Sequence, residues 1–116
     1  MKLEVGMYAR TLNGIVKIDK IQNDVMKDTK GCLHYGDFVK ASYNIIDILE
    51  ENDYVNGLRV EKNKYGELYT SYVYYGGDIG KQCEVYTTWL KELKEDEIYS
   101  IVTKEQFESI KYSLEG

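Results

Sequence analysis

The chain has 116 residues, of which 43% are apolar and 30% charged, and its formal net charge is −5. This length and composition predict one folded domain over residues 1–116 and exclude a disordered chain. The acidic charge argues against a broad phosphate-binding face, and no apolar run reaches the roughly 18 residues that a membrane-spanning helix needs.

The N-terminal part of the chain reads as short strands joined by tight turns. Alternating apolar residues over 5–21, around Asn13-Gly14, predict a β-hairpin, because both turn residues tolerate positive φ. Polar residues over 22–31 predict an exposed connection. Three further strands are expected at 32–35, 38–41 and 44–49. A helix is the alternative for 44–49, but its β-branched residues favour a strand.

The middle of the chain predicts an antiparallel meander. Strands are expected at 54–61, with a break at Asn56-Gly57, at 67–75 and at 82–87, and residues 58–75 and 82–87 together form the predicted meander. The glycine-rich stretch 76–80 resembles a phosphate-binding loop in composition only. It is not followed by Gly-Lys-Ser or Gly-Lys-Thr, so a flexible turn between two strands is the preferred interpretation.

The last quarter of the chain mixes helix and strand signals. Residues 88–93 predict a short helix, and 98–102 predict a strand. The Thr-x-x-Gln pattern at 103–106 is typical of a capping box and predicts a helix over about 104–110, followed by a short strand at Tyr112 and Leu114. The fold class is therefore α+β and mostly β: an SH3-like or barrel-like antiparallel sheet over about 3–87, with a β-helix-β element over about 88–116.

Compartment and redox state follow from the N-terminus and the cysteines. Lys2 and Gly6 interrupt the apolar core that a secretory signal would need, so we expect a cytoplasmic protein. Cys32 and Cys83 are then expected to be buried, reduced thiols, with a single disulfide as the alternative. Cys32 and His34 lack the further ligands of a zinc site, and we expect no metal and no other cofactor.

Acidic residues are concentrated between positions 47 and 53, where no basic residue interrupts them. Asp47, Glu50, Glu51 and Asp53 lack the spacing of a calcium loop, and a solvated acidic loop is the simplest interpretation. The functional interpretation is that they bind the basic surface of a nucleic-acid-binding partner. With one histidine and no nucleophile motif, the chain is not expected to be an enzyme.

The chain has twelve tyrosines, which are densest at 65–75. That stretch contains no lysine or arginine. Stacking of nucleic-acid bases on these rings is disfavoured, because the stretch has no lysine or arginine to contact phosphates. Packing within a sheet explains why many of the tyrosines are present. Tyrosine is also enriched in binding patches, because it supplies contact area at little cost in side-chain entropy. The rings expected to contact a protein or small molecule are Tyr69, Tyr72, Tyr74, Tyr75 and Tyr86.

Four segments give the chain a resemblance to a group of small phage and prophage proteins of Gram-positive bacteria. They are Gly6–Gly14, Asn44–Asp47, Asp53–Gly57 and Ser100–Glu108, and the similarity runs along most of the chain. The first matches a Gly-x-Tyr-x-Arg-Thr-x-x-Gly opening. No activity or site residue is carried over from this group. The resemblance implies a context, in which small acidic phage proteins bind host proteins and inhibit bacterial immunity, as anti-CRISPR proteins do.

These observations lead to one functional hypothesis and two alternatives. The chain is expected to be a non-catalytic protein-binding module of phage origin that covers the basic surface of a host defence nuclease in the host cytoplasm. Its partner would be a host protein, with no direct contact to nucleic acid or membrane, and a homo-oligomer stays open. The first alternative is a protein that binds or sequesters a nucleotide-like small ligand. The second is a metal-dependent enzyme that uses the acidic cluster.

Overall fold

The structure is a computed structural model that describes residues 2–36, 38–75 and 83–115. The chain forms two compact units: unit 1 contains Met1–Leu49 and Val102–Gly116, and unit 2 contains Glu50–Ile101. Antiparallel pairing dominates, which confirms the mostly-β prediction. The described strands form three separate sheets instead of one closed barrel. The segment 88–116, predicted as one α/β part, is divided between the two units.

Unit 1 is built on a five-stranded sheet in the order β4-β3-β2-β1-β5. The strands are β1 Tyr8–Thr11, β2 Gly14–Gln22, β3 Val25–Asp28, β4 Leu33–His34 and β5 Phe38–Ser42. The predicted N-terminal hairpin is confirmed, but its turn is Leu12-Asn13 and not Asn13-Gly14, because Thr11 lies opposite Gly14 and β2 begins there. Of the expected turn pair, Gly14 adopts positive φ, at 122°, and Asn13 does not. The strands predicted at 32–35 and 38–41 are confirmed as β4 and β5.

Two predictions for the first part of unit 1, Met1–Leu49, are wrong. The supposed connection over 22–31 contains β3, which pairs with β2 through a two-residue turn. Asn23 and Asp24 both adopt positive φ, at 48° and 66°, and this backbone matches the twist of an antiparallel pair. The supposed strand at 44–49 is a 3₁₀ helix over Ile45–Ile48, because the Asn44 side chain caps it by accepting the Ile46 amide at 3.1 Å.

Unit 2 contains the meander predicted for the middle of the chain. Its strands are β6 Tyr54–Val55, β7 Leu58–Arg59, β8 Glu61–Lys62, β9 Leu68–Tyr75, β10 Cys83–Trp89 and the start of β11 Ile101–Val102. One sheet has the order β10-β9-β8, and the other β11-β6-β7. The turn between β6 and β7 is Asn56-Gly57, at φ 53° and 80°, as the sequence predicts. The glycine-rich stretch 76–80 lies outside the described residues.

The helix predicted over 88–93 is shorter than expected. Trp89 still belongs to β10, and a 3₁₀ helix covers Leu90–Glu92, with Leu90 buried. A second 3₁₀ helix covers Glu95–Glu97, where the Glu97 carboxylate accepts the Lys94 amide at 2.9 Å. The first of these helices stays short because strand pairing with β9 continues as far as Trp89.

The C-terminal helix α1 covers Lys104–Glu115. The predicted capping box is confirmed: the Gln106 side chain accepts the Thr103 amide at 2.9 Å, and the Thr103 hydroxyl accepts the Gln106 amide at 3.2 Å. The strand predicted at 112–114 is wrong, because nothing in the sequence stops the helix there. Glycine is favoured at position 14, because its φ is 122° and a Cβ there would lie 2.8 Å from the side-chain Nε2 of Gln106.

The interior of unit 1 combines an apolar cluster with a buried guanidinium group. Ala9, Ile18 and Met26 form the cluster. Arg10 is 0% exposed, and its Nη1 donates to the Ile48 carbonyl at 3.0 Å. Its Nη2 forms an ion pair with Glu105 at 2.7 Å. Arg10 thereby joins β1, the 3₁₀ helix over 45–48 and α1.

The two arginines of the chain allow a matched test of this buried pair. Arg10→Lys should lower the free energy of unfolding by about 2–3 kcal/mol, because an ammonium group cannot replace the planar fork at both acceptors. Urea unfolding followed by circular dichroism measures the change. The control Arg59→Lys alters an ion pair with Glu61 at 3.1 Å whose side chains are 57% and 37% exposed. That control should change stability by about 0.5 kcal/mol or less, and equal losses would contradict the assignment.

Candidate functional site

The exposed tyrosines of unit 2 meet on one side of the β9–β10 hairpin. Tyr72 lies opposite Tyr86 and Tyr74 opposite Glu84, so the four side chains share one face, which we call the hairpin face. The Tyr72 and Tyr86 rings stack with centroids 5.2 Å apart at 19°. The Tyr74 ring contacts Tyr86 edge-on at 6.5 Å and 75°. The three tyrosines are 48%, 54% and 43% exposed in chain order, so this cluster is a surface feature.

Glu84 gives the hairpin face its charge. The Tyr86 hydroxyl donates a hydrogen bond to the Glu84 carboxylate at 2.5 Å. This bond to the carboxylate is the main reason that the pKa of Tyr86 is raised above its usual value, and partial desolvation adds to it. Tyr86 therefore stays protonated at neutral pH. No lysine or arginine occurs in β9 or β10, so the hairpin face is aromatic and anionic.

The opposite side of the hairpin is also open to solvent over the same residues. Val73 lies opposite Val85, and these side chains are 47% and 65% exposed. Further along the hairpin, Tyr69 and Trp89 pack edge-to-face with centroids 5.4 Å apart. This second pair packs at the base of the hairpin in unit 2, while residues 72–74 and 84–86 are exposed on both sides of the hairpin.

The predicted tyrosines thus fall into three groups. Tyr72 and Tyr74 share the hairpin face, together with Tyr86. Tyr69 is half-buried against Trp89 and takes part in packing. The Tyr75 side chain lies outside the described residues. Sequence reasoning missed Glu84, which becomes visible only when the alternation of β10 is combined with its pairing register against β9.

The predicted acidic cluster is not one exposed patch. Asp47 belongs to unit 1, is exposed, and accepts the Ser42 hydroxyl at 2.8 Å. Glu50, Glu51 and Asp53 belong to unit 2, and Glu51 is exposed. Asp53 is 0% exposed, and its carboxylate accepts the Glu50 amide at 2.7 Å. The structure therefore places Asp53 in a local capping role inside unit 2, where a docking partner does not reach it.

Cys32 is exposed, so the expectation that its thiol is buried is wrong. The histidine two residues further on has a structural partner. His34 Nε2 lies 2.9 Å from the buried Asp28 carboxylate, which also accepts the backbone amides of Lys30 and Cys32 at 2.8 and 3.0 Å. These bonds shape the turn between β3 and β4. The bond to His34 is the first reason that the pKa of Asp28 lies below its usual range, with the two amides acting in the same direction and desolvation opposing them.

Comparison with known proteins adds no family to these observations. No protein-family model, no curated protein and no solved structure matches the chain. Among the described residues there is no group of three or more His, Cys, Asp or Glu side chains that could hold a metal ion. None of the helices in the described ranges is long and apolar enough to cross a membrane.

The Asp28 turn generates a prediction about pH. A carboxylate whose pKa is lowered by folding stabilises the protein above its unfolded pKa, near 3.8, and this contribution is lost as the pH falls through the folded value. Asp28→Asn should lower the free energy of unfolding at pH 7 by about 1–3 kcal/mol and flatten its decline below about pH 4.

Chemical denaturation at a series of pH values measures both effects. Asp19→Asn is the matched control, because it removes the same charge from an exposed position in β2. A loss of stability that is equal in the two variants, or that does not depend on pH in this window, would count against the role given to Asp28.

Proposed function

We propose that the chain is a non-catalytic protein-binding module that contacts its partner through the hairpin face. The observation that carries the proposal is the stacked pair of Tyr72 and Tyr86, about half-exposed, with Tyr74 and the Glu84 carboxylate beside it. Aromatic groups that are clustered and already packed on one another lose little side-chain entropy on binding, and such residues dominate the affinity of many interfaces.

The chemistry of the hairpin face favours a basic partner surface. Tyrosine rings attract guanidinium and ammonium groups through their π faces, and Glu84 supplies a carboxylate for an ion pair. The net charge of −5 adds long-range attraction toward a positive surface and raises the rate of encounter. Glu50 and Glu51, which belong to unit 2 like the hairpin face, provide further negative charge for such a partner.

A nucleic-acid-binding host protein presents a surface of this kind. The resemblance to phage proteins makes a bacterial defence nuclease our first choice of partner. Covering its basic groove would exclude the nucleic acid by occupying the same surface, with no chemical step. The protein would then act in the cytoplasm of the host as an inhibitor of bacterial defence.

The hairpin face can be tested with size-matched tyrosine variants. The double variant Tyr72→Ser, Tyr86→Ser should weaken binding to a partner captured from host lysate by at least about tenfold, because truncating central aromatic contacts typically costs 2 kcal/mol or more. Isothermal titration calorimetry with the purified partner measures the affinity. The double variant Tyr65→Ser, Tyr99→Ser is the control, since these side chains are 75% and 84% exposed but lie outside the hairpin face.

The three measured affinities decide whether the hairpin face binds the partner. Equal affinities for wild-type protein, hairpin variant and control would exclude the hairpin face as the binding surface. Circular dichroism establishes that each variant is folded before binding is compared.

The acidic residues call for a separate experiment on charge. Reversing Glu50 and Glu51 to lysine should weaken capture of the same partner, most strongly at low ionic strength, because exposed charges mainly steer association and are screened by salt. Measuring the association rate at several salt concentrations tests this expectation. An unchanged rate and salt dependence would remove Glu50 and Glu51 from the interface while leaving the hairpin face untouched.

A further inference from the structure

Unit 1 contains an open cleft that the hairpin-face proposal does not use. Its volume is about 350 Å³, within the range of sites that hold small organic molecules. Its walls are mainly apolar, with one carboxylate among the described lining residues. These include Leu3, Ile21, Asp24, Val25, Met26 and Phe38.

The β2–β3 hairpin explains how the cleft arises. Ile21 and Met26 lie opposite each other on the two strands. Met26 is 1% exposed and belongs to the apolar cluster of unit 1, against which Leu3 and Phe38 pack, while Ile21 is 41% exposed. The cleft therefore runs from the apolar interior of unit 1 toward solvent. Asp24 lies in the turn that joins the two strands, where its backbone is held at φ 66°.

The charge of the cleft indicates the class of its ligand. Asp24 is exposed, and its carboxylate forms no hydrogen bond or ion pair with another described residue. No basic residue occurs among the described lining residues, so a phosphate or carboxylate ligand would meet a like charge. A ligand with an apolar body and one positive charge would satisfy both the walls and Asp24.

We propose that this cleft binds a small organic cation, a primary amine carried on an aromatic or aliphatic body. The apolar body is in contact with Leu3, Ile21 and Phe38 over the buried Met26, and the ammonium group pairs with Asp24. The site lies within unit 1 and is separate from the hairpin face of unit 2. The alternative drawn from the sequence is a nucleotide-like ligand. This cleft selects a different class of small ligand, a cation.

Three probes with the same phenyl body and different charges test the proposal on the full chain. They are phenethylamine, phenethyl alcohol and phenylacetate, which are positive, neutral and negative at neutral pH. Titration is followed by the NMR signal of the Met26 methyl group. At low salt we expect the amine to bind about fivefold more tightly than the alcohol, as an exposed ion pair allows, and the acid to bind most weakly.

Two aspartate variants identify the group responsible for this preference. Asp24→Asn keeps the size of the side chain, and asparagine tolerates the positive φ of the turn, so the cleft should persist. The affinity for the amine should fall to the affinity for the alcohol. Asp19→Asn removes the same charge from unit 1 at a residue that is not in the described lining, and it should leave the preference intact.

Three results would overturn the proposal. The first is equal binding of amine and alcohol by the wild-type protein. The second is a preference for the amine that survives in Asp24→Asn. The third is the absence of a saturable Met26 shift with any probe at about 10 mM, a concentration that detects fragment-sized ligands of ordinary efficiency. Loss of partner binding in the hairpin variants is a separate result, so the two proposals can fail independently.

Discussion

The buried guanidinium of Arg10 is the constraint on which unit 1 depends. A charge inside a protein costs several kcal/mol unless it is paired and hydrogen-bonded, so the fold must bring acceptors to it. The acceptors come from positions 38 and 95 residues away, at Ile48 and Glu105. Strand β1 therefore requires both a 3₁₀ helix in the middle of the sequence and a helix near its end. This requirement explains why the C-terminal segment belongs to the same unit as the N-terminal sheet.

Local signals in the sequence predicted the elements that local interactions determine. The Asn56-Gly57 turn, the Thr103–Gln106 capping box and the alternation of β9 each follow from side chains a few residues apart. One of the failures has a different cause. At 44–49 the β-branched residues favoured a strand, but the Asn44 cap and burial in unit 1 favoured a 3₁₀ helix. Propensity is a weak influence when burial and capping oppose it.

The candidate site was predictable in part for the same reason. Alternation placed Tyr72 and Tyr74 on one face, but the contribution of Tyr86 and Glu84 depended on the register between two strands. Asp53 looks like its acidic neighbours in the sequence, and only the folded chain shows that it is buried and caps the Glu50 amide. The cleft was invisible, because its lining residues converge from the N-terminus, the β2–β3 hairpin and β5.

The composition of β10 has a consequence for solubility. This strand lies at the end of its sheet, has seven residues, lacks proline and carries one charged side chain, Glu84. An exposed edge strand with few charges is a template for pairing with other chains, and a single charge on it acts as a gatekeeper against aggregation. The carboxylate that we propose for contact with a basic partner is therefore also the charge that we expect to oppose pairing between the edges of free molecules. We expect any change that neutralises Glu84 to weaken the proposed binding and this protection together.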